Sequence, residues 1–242
     1  VKPRASAAAR PGAASEPAPS TPAFNSERRL RSIIVAPPDG IGTRMLYAGI
    51  MTVRPRLVLF ARYPTAGRAK TRLIPAIGAA GAAALHRRLT ERALAEMRAT
   101  GLPVEVRTTG APAAAFRRWL GDVPCVPQGG GHLGARMRRA AAAAPAILVG
   151  ADVPDLTACH LTAAAAALER SPVAIGPAED GGYYLIGVAR PMPWLFAPMA
   201  WGTGVVRAET LARLARRGME SALLEPLSDL DTPDDLRRWP DL

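Results

Sequence analysis

Ala146 to Leu156, AILVGADVPDL, is the stretch that most restricts how this chain can fold. Four apolar residues, with β-branched Ile147 and Val149 among them, run into Gly150, Ala151 and Asp152 before Pro154 ends the run. A run this short and apolar at every position reads as a strand buried on both faces. Strands of that kind belong to parallel sheets covered by helices, which bind ligands at the carboxyl ends of their strands. Asp152 stands at such an end, either as a group that holds a ligand or as a cap for the next helix.

The flanking pattern fits that sheet. Leu57 to Phe60, Val104 to Thr108, Cys125 with Val126, Val173 to Gly176 and Tyr183 to Val188 read as further strands, and Glu220 to Leu224 as an edge strand. Between them, Gly78 to Ala99, Ala113 to Leu120, Leu133 to Ala143, Thr157 to Glu169 and Gly204 to Arg217 carry helical spacing. Thr157 is placed to cap one helix and Gly218 to stop another, while Thr232 to Trp239 reads as a closing helix helped by Asp234 and Asp235. Strands alternating with helices of this length predict one parallel-dominated α/β sandwich over residues 54–242. Residues 1–50 differ: Ala, Pro, Ser and Arg dominate, nothing periodic asks for burial, and the expectation is a disordered tail or an upstream extension of the frame.

Charge narrows the partners. The chain of 242 residues carries 31 basic and 20 acidic side chains, a formal +11 spread along its length without a like-charge block. No basic stretch interleaves with aromatics for stacking on bases, so an arginine-rich solvated surface is expected rather than a nucleic-acid interface. No run reaches the length of a membrane span and no secretory core is present, which points to the cytoplasm. Cys125 and Cys159 have no metal or redox spacing and are expected as free thiols. Nothing in the sequence specifies an oligomer.

Three motifs carry chemistry. After the first strand, Tyr63-Pro-Thr-Ala-Gly67-Arg68-Ala-Lys70-Thr71-Arg72 forms a glycine-relieved basic loop ahead of a helix, a setting for phosphate. Every other basic residue beyond position 50 is arginine apart from the histidines, so Lys70 is singular; Ala69 and Pro64 stand where a Walker A loop needs glycine. Gln128, Gly129, Gly130 and Gly131 form a second glycine-rich loop, with Gln128 able to offer an amide to a base or ribose and Arg136 following on a helix. Glu179-Asp180-Gly-Gly-Tyr183 sets two carboxylates in a turn, and Asp229, Asp231, Asp234 and Asp235 gather near the end. Carboxylates converging on a phosphate site suit Mg²⁺ or Mn²⁺, which bind few carboxylates and complete their shell with phosphate and water. His86, His132 and His160 lack a triad arrangement and read as structural or surface residues.

Taken in order, LFARYPTAGRAKTRL, QGGGHLGARM, GADVPDL, GPAEDGGYYLIG, Trp201-Gly-Thr203 and DLDTPDDL resemble the glycosyltransferase-A-like bacterial family linked to arsenosugar biosynthesis, within the nucleotide-diphospho-sugar transferase superfamily. The resemblance spans about Arg56 to Trp239. It implies a GT-A or Rossmann-like three-layer sandwich: a mostly parallel sheet with one antiparallel strand, and helices on both faces. It also implies a nucleotide-phosphate loop at Gly67, Arg68, Lys70 and Arg72, and a divalent-metal aspartate at Asp152 with Asp231 as the second. Glu179, Asp180, Tyr183, Trp201 and Thr203 become candidates for acceptor recognition, with Asp180 placed to orient or deprotonate a hydroxyl. Arg62, Ala151 and Gly202 depart from the usual Lys, Thr and Ser of that family.

Two transferase chemistries share these residues. The first moves a sugar from a nucleotide-diphospho-sugar to a small acceptor, with Asp152, Lys70 and Asp180 as catalytic groups. The alternative is a nucleotidyltransferase joining a nucleoside monophosphate to a small phosphorylated acceptor and releasing pyrophosphate. A non-catalytic polyanion-binding module, suggested by charge alone, would tolerate loss of Asp152.

Overall fold

The computed structural model describes residues 54–242; the expected tail over residues 1–50 lies outside the described residues. The elements run β1 (Arg56–Arg62), α1 (Ile74–Ala99), β2 (Val104–Thr109), α2 (Ala113–Leu120), β3 (Cys125–Pro127), α3 (Leu133–Ala140), β4 (Ala146–Gly150), α4 (Ala158–Leu168), β5 (Val173–Pro177), β6 (Tyr183–Val188), α5 (Val206–Ala215) and β7 (Ala222–Leu223). Short 3₁₀ turns join several of them.

The seven strands lie in the order β3-β2-β1-β4-β6-β5-β7. β6 is antiparallel to both its neighbours and every other pairing is parallel. This is the mostly parallel sheet with one antiparallel strand. From β1 the chain winds outward through β2 and β3, then returns to place β4 on the other side of β1. The reversal opens a crevice between the carboxyl ends of β1 and β4, the place where open α/β sheets receive ligands.

Strand alternation builds the three layers. Leu57, Leu59, Ile147 and Val149 point to one face, where α1, α2 and α4 bring Leu94, Met97, Phe116 and Leu161. Val58, Ala146 and Leu148 point to the other, where α3 and α5 bring Met137 and Leu214. β4 is therefore buried on both faces, as its composition demands: Ile147 and Val149 are fully buried on one side and Leu148 on the other. Among the described residues no helix is long and apolar enough to cross a membrane. Both cysteines are free thiols.

Local chemistry explains most boundaries. Thr157 caps α4 in a reciprocal capping box whose third-position partner is His160. α1 is interrupted at Gly78, which adopts φ 72 and ψ 166, so the long regular helix follows that kink. The expected closing helix from Thr232 to Trp239 is instead a 3₁₀ turn over Asp235–Arg238. The carboxylate of Asp235 turns back to accept from the Asp231 and Thr232 amides and the Thr232 hydroxyl, a cap-like start, but Pro240 disfavours helical backbone at Trp239 and leaves only a short turn.

Candidate active site

The crevice between β1 and β4 holds a cavity of about 350 Å³ lined by Arg62, Arg68, Lys70, Arg72, His86 and Arg136 together with Asp152 and Asp231. Its centre is Lys70. The lysine is the only non-glycine described residue at positive φ (47°), held in the left-handed region that a side chain with a Cβ normally avoids. That conformation turns the side chain inward, where it is 4% exposed. The ammonium donates to the Leu230 carbonyl at 2.6 Å and sits 2.6 Å from Asp152 Oδ1 and 2.8 Å from Asp231 Oδ1. All three N–H groups are thus engaged.

Two residues 79 positions apart in sequence meet because the backbone ties them. The Leu230 amide donates to the Asp152 carbonyl at 2.9 Å, and the Leu230 side chain is fully buried against Leu73, Leu85 and Leu89. Asp231 is thereby carried to the end of β4. Desolvation works against the Lys70 charge, but Asp152 and Asp231 outweigh it and hold its pKa above the ordinary value. Desolvation likewise opposes charge on Asp152, yet Lys70 keeps its carboxyl below the usual range. Both carboxylates remain nearly half exposed to the cavity. Each keeps a second oxygen not bonded to Lys70.

The basic loop is arranged by Gly67, whose φ of 77 permits the turn closed by the Arg68 amide on the Thr65 carbonyl. Arg68 and Arg72 project from it into the cavity. Because α1 is kinked at Gly78, only a short turn adjoins this loop, so side-chain charge rather than a long helix dipole supplies most of its attraction for phosphate.

Other predicted residues have roles the sequence did not show. Gln128 is buried, and its amide N–H₂ donates to the Ala61 and Arg107 carbonyls while its oxygen accepts from Arg136. It braces the cavity wall with its hydrogen bonds already occupied. Gly129, at φ 74, leaves room for the Arg139 guanidinium, which ties down the Gln128 and Gly130 carbonyls. Glu179 pairs with Arg238 at 2.8 Å and tethers the C-terminal segment, and Asp155 accepts from the Trp239 indole. Neither is turned toward the crevice.

Asp180, Tyr183, Trp201 and Thr203 come together around a second, smaller cavity of about 160 Å³ that shares Leu133 and Asp152 with the first. Tyr183 offers its ring; its hydroxyl is buried beside Thr210 and Arg213, and burial pushes its pKa well up. Thr203 donates its hydroxyl to the Ala200 carbonyl. The Trp201 ring lies so close to Gly134 that a Cβ there would fall 2.4 Å from it, and the indole nitrogen is buried without a partner among the described residues.

Two residues given no site role from the sequence, His86 read as structural or surface and Asp229 named only within the C-terminal carboxylate group, line the cavities. His86 lies on the buried stripe of α1, bonded to the Arg62 carbonyl at 3.0 Å, with its other ring nitrogen 3.9 Å from Asp152. A polar residue interrupting that apolar stripe was its only sequence signal. Asp229 lines the second cavity, where burial, followed by the charge of Asp180, pushes its pKa up to about 6.

A sheet of this topology with a cationic loop facing two carboxylates across its switch point defines a GT-A-like transferase fold. The comparisons agree. Residues 92–203 match the bacterial family described as "Uncharacterized protein conserved in bacteria" (DUF2064). A crystal structure from Desulfovibrio desulfuricans G20, provisionally named a nucleotide-diphospho-sugar transferase, is 31% identical with a TM-score of 0.71, covering 75% of this chain and 84% of that one. This chain belongs to the same family as that protein. A nucleotidyl transferase from Methanothermobacter thermautotroptrophicus (18% identity, TM-score 0.50, 77% of this chain and 95% of that one) shares the fold. So does 4-diphosphocytidyl-2C-methyl-D-erythritol synthase from Anaerococcus prevotii DSM 20548 (7% identity, TM-score 0.53, 76% and 94%). No curated protein matches the sequence.

Proposed function

We propose that the protein is a metal-dependent glycosyltransferase that moves a sugar from a nucleotide-diphospho-sugar to a small acceptor. The observation that carries this reading is the meeting of Lys70 with Asp152 and Asp231 at the mouth of a cationic crevice. The larger cavity has the size and charge for a nucleoside diphosphate, and the smaller one adjoins it at Asp152.

The donor set suits a hard divalent cation. Asp152 and Asp231 each keep a second oxygen not bonded to Lys70, that of Asp231 with Arg72 3.8 Å away, and Mg²⁺ or Mn²⁺ takes one or two carboxylates beside phosphate and water. Among the described residues no three acidic, histidine or cysteine groups are placed to hold a metal ion by themselves, so phosphate oxygens would have to complete the shell. When bound, such an ion supplies charge stabilisation for a departing diphosphate.

The protein's own groups do the rest. Arg68 and Arg72 attract the diphosphate and hold it over the β1 edge. Lys70, with its ammonium taken up by the Leu230 carbonyl and both aspartates, holds the two carboxylates in place at the crevice, while Arg68 and Arg72 face the position where negative charge would develop on the leaving group. Asp180, with one oxygen fixed by the Gly182 amide, orients an acceptor hydroxyl from the opposite side. The link to arsenosugar biosynthesis rests on the sequence resemblance alone.

Product analysis tests the reading. Nucleotide sugars and nucleoside triphosphates are incubated separately with the protein and Mn²⁺. Free nucleoside diphosphate released from a nucleotide sugar supports glycosyl transfer, whereas pyrophosphate released from a triphosphate replaces it with nucleotidyl transfer.

A further inference from the structure

We propose that the second cavity selects an acceptor bearing hydroxyl or ammonium donors and no anionic group, so that phosphorylated acceptors are rejected. This rests on the transferase reading above and specifies its acceptor class. The two adjoining cavities have opposite electrostatic linings. The larger is lined by five arginine and lysine side chains. The smaller is lined by Asp152, Asp180 and Asp229, and no lysine, arginine or histidine lines it. Asp180 and Asp229 form no ion pair among the described residues, whereas Asp152 is matched by Lys70. The nearest arginine in sequence to the Thr203 turn, Arg207, directs its guanidinium to the Ala178 carbonyl and is absent from the lining.

A phosphate entering this space would face two unmatched carboxylates, and like charges at such separations in a partly dry site disfavour binding by at least about tenfold. Hydroxyl and ammonium groups instead supply donors to the oxygens still open, Asp180 Oδ1 already accepting from the Gly182 amide. The remaining wall suits the carbon skeleton of a small polyol or amino-polyol. Tyr183, Trp201, Leu133, Val153 and Val206 give it an apolar face, and aromatic rings also attract an ammonium.

The wall is fixed in place. Gly181 adopts φ 87, and a Cβ there would fall 2.2 Å from the Gly204 carbonyl oxygen; one on Gly204 would fall 2.8 Å from the Asp180 oxygen. The carboxylate turn and the Trp201–Gly204 turn are therefore seated backbone on backbone, which holds Asp180 against the aromatic side. The pocket is less than half the size of its neighbour, which limits the acceptor to a small molecule.

Glucose, glucosamine and glucose 6-phosphate serve as matched probes, their binding measured by saturation-transfer NMR on the full chain with and without a nucleoside diphosphate and Mn²⁺. Glucose or glucosamine is expected to bind in the millimolar range and glucose 6-phosphate at least about tenfold more weakly. A preference for glucosamine over glucose assigns the recognition to an ammonium, and equality assigns it to hydroxyls. Asp180→Asn and Asp229→Asn, two separate variants in case one fails to fold, should each narrow the gap between glucose and glucose 6-phosphate severalfold while nucleotide still raises the melting temperature. Equal or tighter binding of glucose 6-phosphate by the unmodified protein overturns the proposal, as does binding of none of the three. Failure of every nucleotide to bind would instead sink the transferase reading, and the probe ranking is then read with excess inorganic phosphate present to occupy the cationic cavity.

Discussion

Lys70 shows how much can depend on one side chain. Its left-handed backbone carries a conformational cost, and three acceptors around one ammonium offset it. Lys70→Met should remove that cation from between two carboxylates and lower stability by about 2 kcal/mol, a value below that of a fully buried pair because both aspartates are half exposed. Asp152 has a depressed pKa in the folded state, so the stability it contributes is present above its ordinary 3.8 and is lost as acid protonates it. Urea denaturation should therefore show the deficit of Lys70→Met at neutral pH and a shrinking deficit below pH 3.8. Asp229 has the opposite sign. With a folded pKa of about 6 against an ordinary 3.8, its charge is a liability above pH 6 that disappears as the pH falls toward 3.8. Asp229→Asn, measured in chelator, should stabilise the protein by about 1 kcal/mol at pH 8, after discounting for its partial exposure, and give no gain at pH 3.8.

The elements that position these residues were legible to different degrees. β4 could be read outright, since an unbroken run of four apolar residues ending in Gly150 has few other destinations. Ile147→Ala should cost about 3 kcal/mol in denaturant unfolding, as expected for a fully buried aliphatic side chain in a strand covered on both faces. The basic loop was equally visible, because Gly67 and a singular lysine are local signals. What sequence hid was long-range pairing. Nothing near Gln128 reveals that its amide is held by Ala61 and Arg107, nor near Glu179 that Arg238 takes its carboxylate. The closing helix was misread because its start signal at Thr232 and Asp235 is real but Pro240 follows too soon for more than one short turn. Gly181 is a further long-range feature, its contact with Gly204 being unreadable from either motif. Gly181→Ala should separate the two turns and destabilise the fold by about 1–3 kcal/mol, which chemical denaturation will measure, with glucose binding weakened in parallel.

At the scale of the whole molecule, the net positive charge of the sequence conceals a sharper division. Positive side chains gather at the carboxyl ends of β1 and α3's first turn, and unmatched carboxylates gather beyond β4, with Asp152 on the boundary. Under the proposed transfer reaction, that segregation would give each half its own surface: anions on one side of Asp152, hydroxyl or ammonium donors on the other. The family relationship supplies the fold and the class, and the boundary residue is where the two surfaces meet. The most direct measurement is calorimetric titration of nucleoside diphosphates into the unmodified protein and Asp152→Asn, each with Mn²⁺ and with chelator. The account predicts that Mn²⁺ tightens binding at least about tenfold in the unmodified protein and leaves the variant unchanged. An Mn²⁺ effect that survives Asp152→Asn, or none in the unmodified protein, would contradict it.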